Sequence, residues 1–80
     1  MKIYDFDGVK NISGERIRQA CVTQRMSQGQ LTAKMQVQGV RIEREAVSKI
    51  ESGARFVADY ELLYFARVLG VTVDWLLGED

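Results

Sequence analysis

Residues 26–53, MSQGQLTAKMQVQGVRIEREAVSKIESG, decide how this chain is expected to fold. Ser27 and Gln30 have the spacing of a capping box, in which each side chain bonds a backbone N–H near the start of a helix. Met26 and Leu31 flank them at the spacing of a hydrophobic staple. The stretch therefore opens on a helix whose first turn is specified by its own side chains.

A second helix is predicted at about residues 43–52 of the same stretch. Gly39 is expected to end the first helix and Gly53 the second, because glycine readily takes the left-handed conformation that closes helices. The expected buried residues are Leu31, Thr32 and Met35 in the first helix and Ala46, Val47 and Ile50 in the second. Two helices joined by a short turn fit the helix-turn-helix geometry that reads the major groove, although many small helical domains contain such a pair.

Three further helices are predicted outside this stretch, which makes the fold class all-α with five helices. One covers about residues 14–25 with Ser13 as its N-cap, one runs from an Asp59 cap to Gly70, and a short one follows a Thr72 cap. The helix at 14–25 has one stripe formed by Ile17, Ala20, Cys21 and Gln24, and the helix after Asp59 is expected to bury Leu62, Leu63, Ala66 and Leu69. The short helix after Thr72 carries Val73, Leu76 and Leu77.

Length and composition exclude several classes of function. The 80 residues suffice for one domain, predicted at 14–78 behind a partly ordered N-terminal arm at 1–13. There is no histidine and one cysteine, Cys21, so a zinc cluster, a disulfide framework and imidazole chemistry are excluded. We therefore expect no enzyme, no cofactor and no small-molecule substrate.

The chain is expected to be cytosolic. It has no apolar run long enough to span a membrane, and Asp5 and Asp7 stand where a signal peptide would carry its apolar segment. Cys21 is then expected to be reduced and to pack as a small core residue.

Charge is distributed unevenly along the chain. Net charge is zero, but residues 15–55 hold eight basic and four acidic residues, and the remainder holds three basic and seven acidic ones. A polyanion would meet its attractive surface in the middle of the chain, and the acidic ends would limit non-specific affinity.

Four segments resemble the Cro/phage-repressor (XRE-type) helix-turn-helix family. The resemblance covers Gly14 to Leu77 and rests on these segments: GERIRQA at 14–20, MSQGQL at 26–31, VSKIESG at 47–53 and LGVTVDWLLG at 69–78. It implies a five-helix, lambda-repressor-like DNA-binding domain in a cytoplasmic, nucleoid-associated protein of prokaryotic or phage type. It also implies a transcriptional regulator, expected to be a repressor, that binds double-stranded DNA as a homodimer.

The resemblance also implies roles for individual residues. Base contacts in the major groove are expected from the outward positions of the recognition helix: Arg44, Glu45, Ser48 and Lys49. Contacts to phosphates are expected from Gln28 at the start of the preceding helix and from Ser52 and Arg55 beyond the recognition helix. On sequence pattern alone, the first set also fits an ordinary solvated helix face in which Glu45 pairs with Lys49.

Two departures from the family pattern leave structural questions open. Cys21 stands where the family commonly has an arginine that pairs with the glutamate matched by Glu51. That carboxylate then has to use backbone donors, pair with Arg25 or Arg55, or remain solvated. The turn around residues 36–42 is also several residues longer. It either lengthens the second helix, moves the recognition helix, or offers Gln38 and Arg41 as contacts to phosphates.

Two alternatives follow from the same residues. Trp75 is predicted to anchor the last helix in the core, or with Val71 and Leu76 to form a dimer surface. For the whole chain, the zero net charge and the longer turn also suit a protein-interaction module, antitoxin-like or adaptor, whose helix-turn-helix is vestigial. Salt-dependent affinity for DNA distinguishes such a module from a DNA reader.

Overall fold

Five helices make up the described part of the chain, as the sequence predicts. The computed structural model describes residues 5–79, so the first four residues of the predicted N-terminal arm lie outside the described part. The helices are α1 (Gly14–Thr23), α2 (Gln28–Val37), α3 (Arg44–Glu51), α4 (Asp59–Leu69) and α5 (Val73–Leu76). The predicted all-α fold class is thus confirmed, and the predicted ends of α1 and α3 are one or two residues too long.

Every helix contributes to a single apolar core. The cluster comprises Ile17, Ala20 and Cys21 from α1, Leu31 and Met35 from α2, Val40 and Ile42 from the turn, Val47 and Ile50 from α3, Phe65, Ala66 and Leu69 from α4, and Leu76 from α5. Fully burying a valine, leucine, isoleucine, methionine or phenylalanine side chain stabilises a fold by roughly 1.5–3 kcal/mol. Because α2 packs directly on α3, and α1 and α4 brace α3 and α2 from the other side, the relative orientation of α2 and α3 is fixed by buried contacts.

The predicted start of α2 is confirmed in atomic detail. The Ser27 hydroxyl accepts from the Gln30 N–H at 3.0 Å, and the Gln30 side chain accepts from the Ser27 N–H at 2.8 Å. Thr72 likewise caps α5 by accepting from the Trp75 N–H at 2.9 Å. Local side chains therefore fix where these two helices begin.

Two predicted caps are wrong. Ser13 is buried in a helical conformation and makes no capping bond; Asn11 instead accepts from the Gly14 N–H at 2.7 Å. Asp59 is already the first residue of α4, and the Glu61 carboxylate accepts from the N–H of the preceding Ala58 at 2.9 Å. The N–H groups at the starts of α1 and α4 are therefore capped by Asn11 and Glu61, and not by the predicted Ser13 and Asp59.

The buried face of α4 also differs from the prediction. Leu63 is 40% exposed, Leu62 is only partly buried, and Phe65 is fully buried. Glu61, Phe65 and Leu69 recur every four residues along the side of α4 that faces the core, and this register turns Leu63 outward. At the other end of the domain, Leu76 is fully buried and so contributes nothing to a dimer surface.

The longer turn between α2 and α3 is an anchored loop. Gly39, at φ +90°, closes α2, and Val40 and Ile42 then insert into the core. The Gln36 side chain donates to the Ile42 carbonyl at 2.9 Å. The extra residues therefore do not extend α2, and the alternation of buried residues 40 and 42 leaves Arg41 exposed.

No helix within residues 5–79 has the length and apolar character needed to cross a membrane.

Candidate nucleic-acid interface

The four side chains predicted to contact bases lie together on the solvent side of α3. Arg44, Glu45, Ser48 and Lys49 are all exposed, and Val47 and Ile50 on the opposite side have no exposed surface. We call these four side chains the outer face of α3. It offers a guanidinium, a carboxylate, a hydroxyl and an ammonium group, which suit hydrogen bonding to the edges of bases.

Two of these side chains already bond each other. The Lys49 ammonium lies 3.3 Å from the Glu45 carboxylate, one helical turn away, and both side chains are largely exposed. An exposed pair of this kind is worth only about 0.3–0.5 kcal/mol, so it opens easily when a better partner approaches. The predicted i,i+4 pair is therefore present, and it does not exclude base contacts by either residue.

Arg41 and Arg44 give the turn and the start of α3 their positive charge. Both are exposed, and among residues 5–79 neither has a carboxylate within 4.0 Å. The neighbouring acidic residue, Glu43, is exposed as well. Two unpaired guanidinium groups at the entry to α3 are suited to phosphate oxygens or to guanine.

Gln28 joins α2 to the end of α3. Its side-chain amide donates to the Glu51 carboxylate at 3.0 Å, and both residues are partly buried. Arg25 and Arg55, one of the alternatives left open for this glutamate, do not bond it. An amide NH₂ group carries two N–H donors, so Gln28 retains a second donor while it holds Glu51.

A shallow polar depression lies between α1, α2 and α3. It is lined by Arg18, Gln28, Ser48, Glu51 and Ser52. The sequence gives no signal for Arg18 at this site, because its helix shows only an apolar stripe and no position that matches a family contact. Its exposed side chain brings a further positive charge to the same surface as the Gln28 amide.

Arg55 is engaged inside the domain. Its guanidinium bonds both oxygens of Glu61, at 3.0 and 3.2 Å, and donates to the Phe56 carbonyl at 2.8 Å. The Glu61 side chain is 3% exposed and the Arg55 side chain 35%. A carboxylate that is nearly removed from water requires such a partner, so the structure gives Arg55 a stabilising role whether or not it also meets phosphate.

Ser52, the remaining residue predicted to contact phosphate, is exposed at the end of α3. Its hydroxyl donates to the Lys49 carbonyl at 3.1 Å. The hydroxyl oxygen can still accept, and its proton can rotate toward a ligand.

Cys21 lies behind this surface. Burial, together with the negative charge of Glu51, raises the pKa of its thiol to about 11. The thiol is therefore neutral near pH 7 and fills core volume, as the sequence predicts, and a thiol in this state is a poor nucleophile.

The N-terminal segment contacts the far end of α3, which sequence reasoning missed. Asn11 donates to the Ile50 carbonyl at 3.0 Å and to the Arg55 carbonyl at 2.8 Å. The only local signal for this residue is its type, since asparagine is favoured just before helices. Its bonds to Ile50 and Arg55 span 39 and 44 positions of the chain, and local sequence patterns do not predict bonds over that separation.

Comparison of the chain with protein-family models and with curated proteins gave no match.

Proposed function

We propose that this protein is a sequence-specific regulator of transcription that binds double-stranded DNA in the major groove with α3. The observation that carries the proposal is the outer face of α3: four exposed, hydrogen-bonding side chains on a helix whose opposite side is fully buried. A helix held this firmly can present its side chains to a groove in one orientation, which direct readout of bases requires. The resemblance to phage-repressor proteins supports the same assignment.

Roles follow from the chemistry of each side chain. Arg44 donates a bidentate pair of bonds to guanine O6 and N7, Glu45 accepts from a cytosine amino group, and Ser48 and Lys49 supply further donors to bases or phosphates. Arg41 neutralises a phosphate beside the turn.

Gln28 is proposed to bridge DNA and protein. One of its amide N–H groups remains on Glu51 and the other donates to a phosphate oxygen. In this arrangement the carboxylate orients the amide, and a phosphate contact fixes α2, and with it α3, in register on the duplex.

The active species is expected to be a homodimer on a palindromic site. One recognition helix reads only a few base pairs, and two related by a two-fold axis read half-sites one helical turn apart. Regulation then consists of occupying a promoter, and repression by blocking polymerase is the simplest outcome.

The first experiment is selection of binding sites from a random pool of duplex DNA with the full-length chain, followed by affinity measurement on the enriched sequence. An enriched palindrome supports the proposed dimeric reader, and a single half-site supports monomeric reading. If the folded protein enriches no sequence, the proposal is wrong and a polypeptide partner becomes the leading expectation.

The second experiment compares Arg44→Ala with Arg67→Ala on the selected site. Both variants lose one exposed guanidinium, but Arg67 lies on α4, where it stacks on Tyr64. Loss of a bidentate guanine contact should cost about 1–3 kcal/mol at one base position and relax preference there. Equal effects of the two substitutions would show that α3 is not the reading helix.

A further inference from the structure

We propose that Asn11 is a positioning residue for DNA reading: its side-chain amide clamps the C-terminal end of α3 and thereby sets the angle at which α3 enters the groove. The inference rests on the function proposed above and adds a residue to it that lies in the N-terminal arm, outside the helix-turn-helix.

The clamp consists of three hydrogen bonds made by one side chain. Asn11 donates to the carbonyls of Ile50 and Arg55, at 3.0 and 2.8 Å, and accepts from the Gly14 N–H at 2.7 Å. Its side chain thus joins the start of α1, the last turn of α3 and the loop beyond α3. Asparagine can do this because its amide carries two donors and an acceptor in one plane.

Backbone contacts beside Asn11 hold the same elements. The Lys10 N–H donates to the Gly53 carbonyl at 2.7 Å. A Cβ on Gly53 would lie 2.7 Å from the Val9 side chain, so the arm touches this loop through backbone and side chain alike. Together, residues 9–11 form a strap across the loop that ends α3.

The bonds that Asn11 makes to carbonyls act at the C-terminal end of α3, where Gln28 also holds Glu51 from the side of α2. The Ile50 carbonyl accepts from the Gly53 N–H at 3.0 Å as well as from Asn11, so the clamp occupies an acceptor that helix geometry leaves incompletely used. Lys49, one residue earlier, belongs to the outer face of α3. Any tilt at this end therefore moves a side chain proposed to contact DNA.

A positioning role predicts a specific defect in binding. Specific recognition needs α3 at the correct angle, whereas non-specific binding needs only charge near phosphates. Asn11 is neutral, so its removal leaves the charge of the surface unchanged. The affinity for the selected site should then fall while the affinity for a scrambled duplex is retained.

The test compares Asn11→Ala with Thr72→Ala, which also removes one helix-capping acceptor but lies on the α5 side of the domain. Affinity of the full chain is measured for the selected duplex and for a scrambled duplex, at a temperature where both variants are folded. We expect Asn11→Ala to lower the ratio of the two affinities by about tenfold or more, the scale of one lost base contact. Thr72→Ala should leave the ratio within about twofold of wild type.

The outcomes separate the two proposals. If wild type binds neither duplex, the proposed function is wrong and this inference falls with it. If wild type is specific and the two variants have the same ratio, the clamp stabilises the fold without positioning α3, and this inference alone is overturned. Should Asn11→Ala not fold, Asn11→Ser replaces it; serine still caps α1 but donates to at most one carbonyl, and an unchanged ratio overturns the inference equally.

Discussion

Gly14, the first residue of α1, lies against the backbone of α3 at a distance that admits no side chain. A Cβ built on Gly14 would lie 2.0 Å from the Ile50 carbonyl oxygen and 2.8 Å from the Asn11 side-chain oxygen. Gly14→Ala therefore forces α1 and α3 apart by more than an ångström, since neither the carbonyl nor the helix start can rotate away. Overpacking of this kind costs about 1–3 kcal/mol, and the backbone obstacle places the expected loss at about 3 kcal/mol.

Gly29→Ala is the matched control, because Gly29 is also in the first turn of a helix and the nearest atom to its added Cβ is the Ser27 hydroxyl at 3.9 Å. Alanine is the better helix former by about 1 kcal/mol, so this substitution should be neutral or stabilising. For a domain of this size, a loss of about 3 kcal/mol should lower the Tm of Gly14→Ala by about 12–24 °C relative to wild type. If Gly14→Ala unfolds with the same Tm as Gly29→Ala, the close packing of α1 on α3 described above is wrong.

Three further predictions concern stability. Ser27→Ala should destabilise by about 1 kcal/mol in urea unfolding, because it removes the capping-box acceptor; an unchanged midpoint would contradict the capping assignment. Arg55→Ala should cost about 2 kcal/mol of stability, because it leaves the Glu61 carboxylate without its guanidinium. Adding Glu61→Gln should recover part of that loss. A double variant no more stable than Arg55→Ala would argue against the ion pair. Folding raises the pKa of the Cys21 thiol from 9.0 to about 11, so the stability that the neutral thiol contributes is complete below pH 9 and is lost as pH rises toward 11. Wild type should therefore lose more stability than Cys21→Ala between pH 9 and 11. Parallel curves of unfolding free energy against pH would refute this.

The part of the fold that local rules govern could be predicted from the sequence. The capping box of Ser27 and Gln30, the Thr72 cap and the inward positions of α3 all depend on residues within one or two turns of each other. A single sequence carries that information directly. The sequence also placed the proposed base-contacting residues on one face, because residues 44, 45, 48 and 49 follow helical spacing.

The predictions that were wrong concern contacts between segments that are distant in the sequence. Ser13 and Asp59 are favourable capping residues, but Asn11 and Glu61 supply the acceptors because α3 and Arg55 hold them in place. The alternatives left open for Glu51 did not include its actual partner for a related reason: charge points to basic residues, and the neutral Gln28 lies within reach only in the folded chain. The caps of α1 and α4 and the partner of Glu51 all depend on tertiary position, which the spacing of residues along one helix does not encode.

The same internal pairs change how the proposed interface should behave toward DNA. Arg55 is bonded to Glu61, and Lys49 to Glu45, so half of the four basic residues predicted to contact DNA have a carboxylate beside them. Attraction to phosphate then depends mainly on the unpaired Arg41 and Arg44, together with Arg18 on α1.

With few unpaired basic residues at the proposed interface, and zero net charge on the chain, non-specific binding should be weak. Discrimination among sequences must then come from the geometry of α3, since little electrostatic affinity is available to compensate for a poorly placed helix. This is why the bonds that Asn11 makes to the end of α3, away from the outer face, are expected to affect DNA reading as strongly as the loss of a base-contacting side chain.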